Sequence, residues 1–343
     1  MFEVGTGSLI DLKSAKNGAV PRISVKTTDN GIIGHFDESV ENARYFENFI
    51  SVNFFGISYY HPYRASVEMK VHTLKFKNKK FSNAEGSFIS AMINKRLNGL
   101  FSYGSQLSSS KLQNDNLKIH LPTKNGKIDF EFMESFISDL EAERIAKLEA
   151  YLVASHLKDY TLTSEEQQVL TNYVNGEWQT FNIEELFGKS TRGRRLKSAD
   201  RISGPLPFVT AGETDEGISA FIGNDVTIFP NNTTTIDMFG SAKYRNYNYG
   251  SDDHIAVVHT QNLPKFASIF VTTAIHKTSY NGQFNYGRNF YAKDADELNI
   301  SLPAQNQKPN YRLMETLISA IQKLVIKDVV LYVNKKINAS KVL

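Results

Sequence analysis

An α+β fold made of two tandem repeats, each a β-rich globular domain followed by a long α-helix, is what this sequence predicts. Three observations carry the prediction. Internal matches recur in constant order, strand-and-turn punctuation fills most of each copy, and a helical apolar period closes each copy.

The matches come first. Pro21-Arg22-Ile23-Ser24 through Thr28-Asp29-Asn30-Gly31-Ile32 is repeated as Pro207-Phe208-Val209-Thr210 through Thr214-Asp215-Glu216-Gly217-Ile218, at an offset of 186. Val52-Asn53-Phe54-Phe55-Gly56 with Tyr60 matches Ile236-Asp237-Met238-Phe239-Gly240 with Tyr244, at offset 184. Asn98-Gly99, Phe101 and Tyr103-Gly104 match Asn281-Gly282, Phe284 and Tyr286-Gly287, at offset 183. Leu117, Ile119, Leu121 and Pro122 match Leu298, Ile300, Leu302 and Pro303, and Met133-Glu134 with Ile137 matches Met314-Glu315 with Ile318, both at offset 181. Generic strand punctuation produces single matches but not five in one order with so little drift.

Within each copy, short apolar runs alternate with Gly, Asn, Tyr and Phe, which reads as strands and turns. Asn98-Gly99 and Asn281-Gly282 are expected to be hairpin turns, because both central positions tolerate positive φ. A proline then closes the last strand and a helix follows, from about Asp129 to Leu157 in the first copy and from about Asn310 to Ile337 in the second. Met314, Leu317, Ile321, Leu324 and Leu331 make a coiled-coil-like seam, and Met133, Phe136, Leu140, Leu148 and Leu152 a rougher one. Lys147 and Asp328 interrupt these seams at equivalent places and would pair if the helices cross symmetrically. Between the copies, Thr163 with Glu166 forms a capping box that starts a short helix, ended at Asn175-Gly176. Trp178, the one tryptophan, opens the second copy and reads as a packing residue. The resulting division is 1–128, helix 129–160, linker 161–177, 178–309, and helix with tail 310–343.

Composition narrows the function. With 41% apolar and 22% charged residues the chain has ample core, and its net charge of +3 announces no particular partner. Zero cysteines excludes disulfides, thiolate metal sites, iron–sulfur clusters and a cysteine nucleophile. No signal-like start and no run of about 18 apolar residues is present, so a soluble cytoplasmic protein with no membrane contact is expected.

No catalytic constellation stands out. Phe2-Glu3-Val4-Gly5-Thr6-Gly7 has the glycines of a nucleotide cradle but no room for the strand that precedes one. His254 and His259 near Asp252-Asp253 have a metal flavour, yet they flank a strand-like Ile255–Val258, which sends residues five apart to opposite faces. The expectation is a chain with no catalytic centre, no metal and no cofactor of its own.

Polar and basic loops remain. Gly188 to Arg201 holds six basic residues and one acid, and Lys189, Arg192, Arg194, Arg195 and Lys197 among glycines and hydroxyls suit a loop that approaches phosphates. The bland alternative is a solvated basic loop. Lys75, Lys77, Lys79 and Lys80 instead read as guards on an edge strand. Further contacts are expected at equivalent points of the copies: Tyr60, His61 and Arg64 against Tyr244 and Arg245, Lys95 and Arg96 near His276 and Lys277, and the Tyr103-Gly104 turn against Arg288 and Asn289 after Tyr286-Gly287. Arg and Asn read guanine and adenine edges with two hydrogen bonds each.

Two β-rich domains, each with a helix, in a chain without catalytic motifs resemble the specificity subunits of restriction–modification systems. The type I subunits share the layout, and those of type IIB systems are more similar still. The residues that carry the resemblance are Leu121-Pro122 through Asp129-Phe130-Glu131-Phe132-Met133, their twin Leu302-Pro303 through Asn310-Tyr311-Arg312-Leu313-Met314, and the domain opening Trp178 through Phe181, Ile183, Leu186 and Phe187. The first copy departs from the pattern in lacking a tryptophan at its opening.

What the resemblance implies is a subunit in which each repeat is a target recognition domain reading one half of a split double-stranded DNA site. Its helices would pack as an antiparallel coiled-coil spacer through Met133, Leu140, Leu148, Met314, Ile321 and Leu324, setting the gap. DNA adenine methyltransferase subunits, with or without a fused nuclease, would be the partners and would bind S-adenosylmethionine. The rival readings are a non-catalytic interaction scaffold or carbohydrate-binding protein built from a duplicated β domain, and a hydrolase with an unrecognised carboxylate pair.

Overall fold

In the computed structural model, which describes residues 1–13, 15–38, 40–113 and 117–340, the chain opens with strands β1 (Phe2–Thr6), β2 (Asn17–Ile23), β3 (Ile32–Phe36), β4 (Tyr45–Phe46), β5 (Phe49–Asn53), β6 (Ser58–His61), β7 (Ala65–Val67) and β8 (Val71–Phe76). Helix α1 (Asn83–Leu97), the short α2 (Ser109–Gln113), hairpin strands β9 (Thr123–Lys124) and β10 (Lys127–Ile128), and helix α3 (Phe130–Ala154) follow. Then come α4 (Ser164–Asn172), β11 (Trp178–Asn182), α5 (Ile183–Phe187), β12 (Thr191–Arg192), β13 (Ser203–Val209), β14 (Ile218–Ile222), β15 (Thr233–Asp237), β16 (Ala242–Arg245), β17 (Gly250–Ser251) and β18 (Ile255–Val258). The chain closes with α6 (Lys265–Ser279), α7 (Ala292–Asp296), β19 (Asn299–Gln305), β20 (Lys308–Pro309) and α8 (Tyr311–Ser340). Two units, Met1–Glu149 and Ala150–Leu343, divide it, with the boundary inside α3.

In the first unit one sheet has the order β1-β8-β5-β6 and a second the order β3-β2-β7-β4, with β2 and β7 parallel. In the second unit β12-β18-β15-β16 forms one sheet and β14-β13-β17 another, with β13 and β17 parallel. A third sheet, β11-β19-β20, belongs to the second unit. The larger core of the first unit gathers Ile50, Val52, Leu74, Ile89, Ile93 and Met133, and that of the second Ile236, Ala256, Val271, Ile275, Ile300 and Met314.

Matched positions do matched work. Asn53 Oδ1 accepts the Phe55 and Ile57 N–H groups at 3.0 Å each, and Asp237 Oδ1 accepts those of Phe239 at 2.9 Å and Ser241 at 3.0 Å. The turns these bonds close need a left-handed residue, supplied by Gly56 (φ 84°) and Gly240 (φ 87°). The Ser58 N–H donates to Asn94 Oδ1 at 2.7 Å, and the Ala242 N–H to His276 Nδ1 at 3.1 Å, which ties each central helix to the sheet. Gly7 and Gly193 sit against the backbone of β7 and β17: a Cβ would fall 2.2 Å from the Val67 carbonyl oxygen and 1.6 Å from that of Ser251. Close backbone approach, not a nucleotide cradle, is therefore what the glycine at position 7 serves.

Several expectations change. The stretches expected to be strands and turns each contain a 15-residue helix, α1 and α6. Asn98-Gly99 and Asn281-Gly282 lie just beyond these helices and not in hairpins, with Gly99 at φ 73° and Gly282 at φ 84°. Strand β8, carrying Lys75, is interior, paired to both β1 and β5, so its lysines guard no edge. Lys79 pairs with Glu85 and lies over the Phe130 ring, 3.5 Å from its centroid. Met133 and Met314 are fully buried in the cores of their own β-rich units, while Leu140, Ile321 and Leu324 are exposed and Leu148 is half-buried. Lys147 pairs with Glu143 on its own helix. Thr163 and Glu166 form both bonds of the capping box on α4. The tail beyond Ser340 lies outside the described residues.

Candidate nucleic-acid interface

The basic segment is pinned to the second unit at three points. The Ser190 N–H donates to Asp296 Oδ1 at 2.7 Å, the Thr191 hydroxyl bonds His259 Nε2 at 2.9 Å, and Gly193 abuts Ser251. Thr191 and Arg192 pair with Val257 and Ala256, so β12 is an edge strand. Burial pushes His259 below its ordinary pKa against a hydrogen bond with Gln261 that raises it, which favours the neutral ring. Between and beyond these anchors Lys189, Arg192, Arg194, Arg195 and Lys197 all point to solvent. Among the described residues none of the five pairs with a carboxylate. Arg201 behaves differently: it bonds the Leu196 carbonyl and the Ser219 hydroxyl and covers Phe208 at 5.1 Å. Five unneutralised cations on a short, anchored backbone form a concentrated positive field with its entropy already spent, which suits polyanion binding.

The other sequence-selected residues divide into surface and interior. Lys95, Arg96, Lys277 and Arg288 are exposed, with Arg288 lying 5.4 Å over Phe284. Arg96 Nε donates to the Lys118 carbonyl at 3.2 Å, and Arg64 pairs with Glu38 at 3.2 Å while stacking on Tyr45. Asn289 is half-buried beside Tyr291, and with Tyr286, Gly287 and Arg288 it lines a shallow cleft of about 380 Å³. Tyr103 and Tyr286, passed over as turn residues, are 80% and 85% exposed, each edge-on to a phenylalanine, Phe55 or Phe239.

Four of the expected contacts are interior groups. His61 is 0% exposed and bonds Ser51 at 2.8 Å and Tyr63 at 3.1 Å. Burial lowers its pKa to about 4. Arg245, at the equivalent position, is 1% exposed and donates to Thr235 at 2.9 Å and Tyr247 at 3.0 Å. The hydroxyls of Tyr60 and Tyr244 bond Asn48 and Asn232 at 3.0 Å within their own units. His276 spends Nδ1 on the Ala242 N–H. Side chains committed this way hold the sheets together and leave the contact surface to the loops.

Asp252, Asp253 and His254 place ligand atoms within 4.8 Å of one another, but His254 Nδ1 already pairs with Asp253 at 3.1 Å. No helix among the described residues is long and apolar enough to cross a membrane.

Comparison with known proteins decides the family. The type I restriction modification DNA specificity domain matches residues 1–150 and again residues 175–331. The chain belongs to that family. Its members are non-catalytic components of restriction–modification complexes. The type II restriction enzyme BcgI specificity subunit of Heyndrickxia coagulans is 24% identical over 232 residues, 66% of this chain. The match spans 64% of that relative's length. Among solved structures, the type I restriction–modification S subunit from M. genitalium aligns over 99% of this chain and 91% of its own, with a TM-score of 0.63 at 15% identity, a likeness of fold.

Proposed function

We propose that the chain is the cytoplasmic DNA sequence-recognition subunit of a restriction–modification complex. Each unit reads one half of a split asymmetric site. Helices α3 and α8 pack antiparallel, set the gap between half-sites, and dock methyltransferase subunits through exposed residues such as Leu140, Ile321 and Leu324. Adenine methylation with S-adenosylmethionine, and any cleavage, belong to those partners. The observation that carries this reading is the anchored five-cation loop, Lys189 to Lys197, in a chain whose two parts both match a DNA specificity domain.

Phosphate contacts of that loop supply affinity, and Arg288 and Asn289 are suited to base edges. Neutralising several phosphates makes binding fall by ~10³ or more between low and moderate salt. Selection on random duplex DNA, with and without a co-expressed methyltransferase, tests the reading. A split consensus with a fixed gap is expected. Absence of any DNA preference in both conditions overturns it and leaves the interaction scaffold.

A further inference from the structure

The two units treat one strand edge differently. In the second unit, β11 covers β19 in antiparallel register, Trp178 opposite Pro303 and Phe181 opposite Ile300, and α5 continues from it with Ile183 buried. Ile300 and Leu302 are 0% exposed beneath this cover. The first-unit counterpart is residues 117–122, at offset 181. It keeps the alternation, with Leu117, Ile119 and Leu121 turned toward the core and Lys118 and His120 exposed. It also keeps the closing bond: Pro122 accepts the Asp129 N–H at 2.9 Å, as Pro303 accepts that of Asn310 at 2.8 Å. Yet among the described residues no strand pairs with it, and Ile119 and Leu121 are only half-buried.

A second difference lies beside the first. In the second unit Phe270 stands 6.2 Å from Trp178, and Leu317 is 3% exposed. Their first-unit counterparts Phe88 and Phe136 join Phe132 in a ring cluster with centroids 5.7 to 6.3 Å apart. Phe132 and Phe136 remain 48% and 47% exposed. The charge differs as well. Lys118, His120 and Lys124 replace Asn299, Ser301 and Gln305, while the second unit's own cover, Glu177 to Phe187, carries Glu177, Glu184 and Glu185 and no Lys or Arg.

We propose that the edge at residues 117–122, with Phe88, Phe132 and Phe136, is a docking site for an extended segment of another polypeptide. The segment adds as an antiparallel strand, carries an aromatic residue and apolar residues at alternate positions, is acidic, and turns into a short helix. Main-chain bonds to the free edge supply affinity, the phenylalanines take the aromatic side chain, and the basic edge steers an acidic strand. This site is independent of DNA recognition. An unpaired edge left open invites indiscriminate pairing, which a specific occupant prevents.

The test uses the full chain and a fluorescent peptide of residues 176–188, the second unit's own cover, as probe. Saturable binding by anisotropy is expected, with amide exchange slowed about tenfold or more at residues 117–122. Phe136→Ser, and separately the exposed Lys118→Glu with His120→Glu, should each weaken binding by about tenfold. If the first variant fails to fold, the charge reversal carries the test. No saturable binding, equal binding of a scrambled peptide, or protection confined to residues 299–305 by exchange with the resident strand overturns the proposal. So does a chain that is already a dimer with 117–122 protected, which assigns the edge to a second copy.

Discussion

At the turn where the second unit holds Arg192, Arg194, Arg195 and Lys197 out to solvent, the first exposes Leu9 and Leu12 beside a cleft of about 510 Å³ lined by Asp11, Lys16, Glu41 and Asn42. Just inside that turn, Gly7 and Gly193 do the same job. The interior is shared and the projecting residues are not. Such a division suits a duplicated scaffold whose halves meet different sequences, because the packing constraints are common while the surface is free to diverge. Interior substitutions between the units preserve the hydrogen bond and change the charge: Asn53 against Asp237, Asn94 against His276, and His61 against Arg245. Asp237 has Lys243 3.9 Å away, and Asn53 instead donates to the Val25 carbonyl at 3.1 Å.

The comparison breaks hardest at the shared glycine. Gly193→Ala drives a methyl into the Ser251 carbonyl, and should cost the second unit about 3 kcal/mol or more while sparing the first. Circular dichroism melts should show the second unit's transition lowered with that of the first in place. A uniform shift of both would contradict the separate cores.

Next is the pH response at the His61/Arg245 position. His61 titrates at about 4 when folded, below its ordinary 6.5. The fold therefore favours the neutral ring: the stability it lends is complete above pH 6.5 and is lost as pH falls toward 4. Roughly 3 kcal/mol is at stake in the first unit, whereas Arg245 keeps its charge throughout. Denaturant titrations at pH 7 and pH 4 measure it, and His61→Gln should flatten the dependence. Unaltered pH dependence in that variant would remove His61 from the account.

The linker helix comes third. Burial of the Glu166 carboxyl opposes its ionisation, but the Thr163 N–H, the Ser319 hydroxyl and the Lys323 ammonium together hold its pKa down at about 2. A depressed acid lends stability above its unfolded value of 4.5, lost as pH falls toward 2. Glu166→Gln should loosen α4 from α8 at neutral pH by about 2 kcal/mol, read as faster amide exchange over residues 164–172. The first unit's exchange should not change.

Smallest is the loop itself. Arg194→Ala with Arg195→Ala should leave folding intact, weaken DNA binding by about tenfold at every sequence, and reduce the log–log salt slope by about two. Gel shifts across a salt series decide it. An unchanged slope would remove the loop from the contact surface.

Much of this was readable from residue order. The repeat offsets 186 to 181 align β2 with β13, β5 with β15 and α3 with α8, and Thr163 with Glu166 announced α4. Helices α1 and α6 were not read, although Ser82 and Glu85 form a capping box before the first. Their small and polar residues, such as Gly86 and Ser90, are buried against the sheet and mask the apolar period. His61, Arg245 and His276 misled for a related reason. A polar residue beside a turn looks like a contact until its partner, ten or more residues away along the chain, is known.

Sequence by itself determined the doubling, the two long helices, the lack of cysteine chemistry and the position of the basic loop, because repetition, periodicity and composition are properties of order along the chain. Only tertiary structure decided which charges are free. Solvent exposure depends on what packs from distant segments, and that is why Arg245 belongs to the core and Arg194 to the surface. It also decided which strand edge is covered. Residues 117–122 and 298–303 carry nearly the same pattern, and only the presence of β11 across one of them separates a closed sheet from an open one.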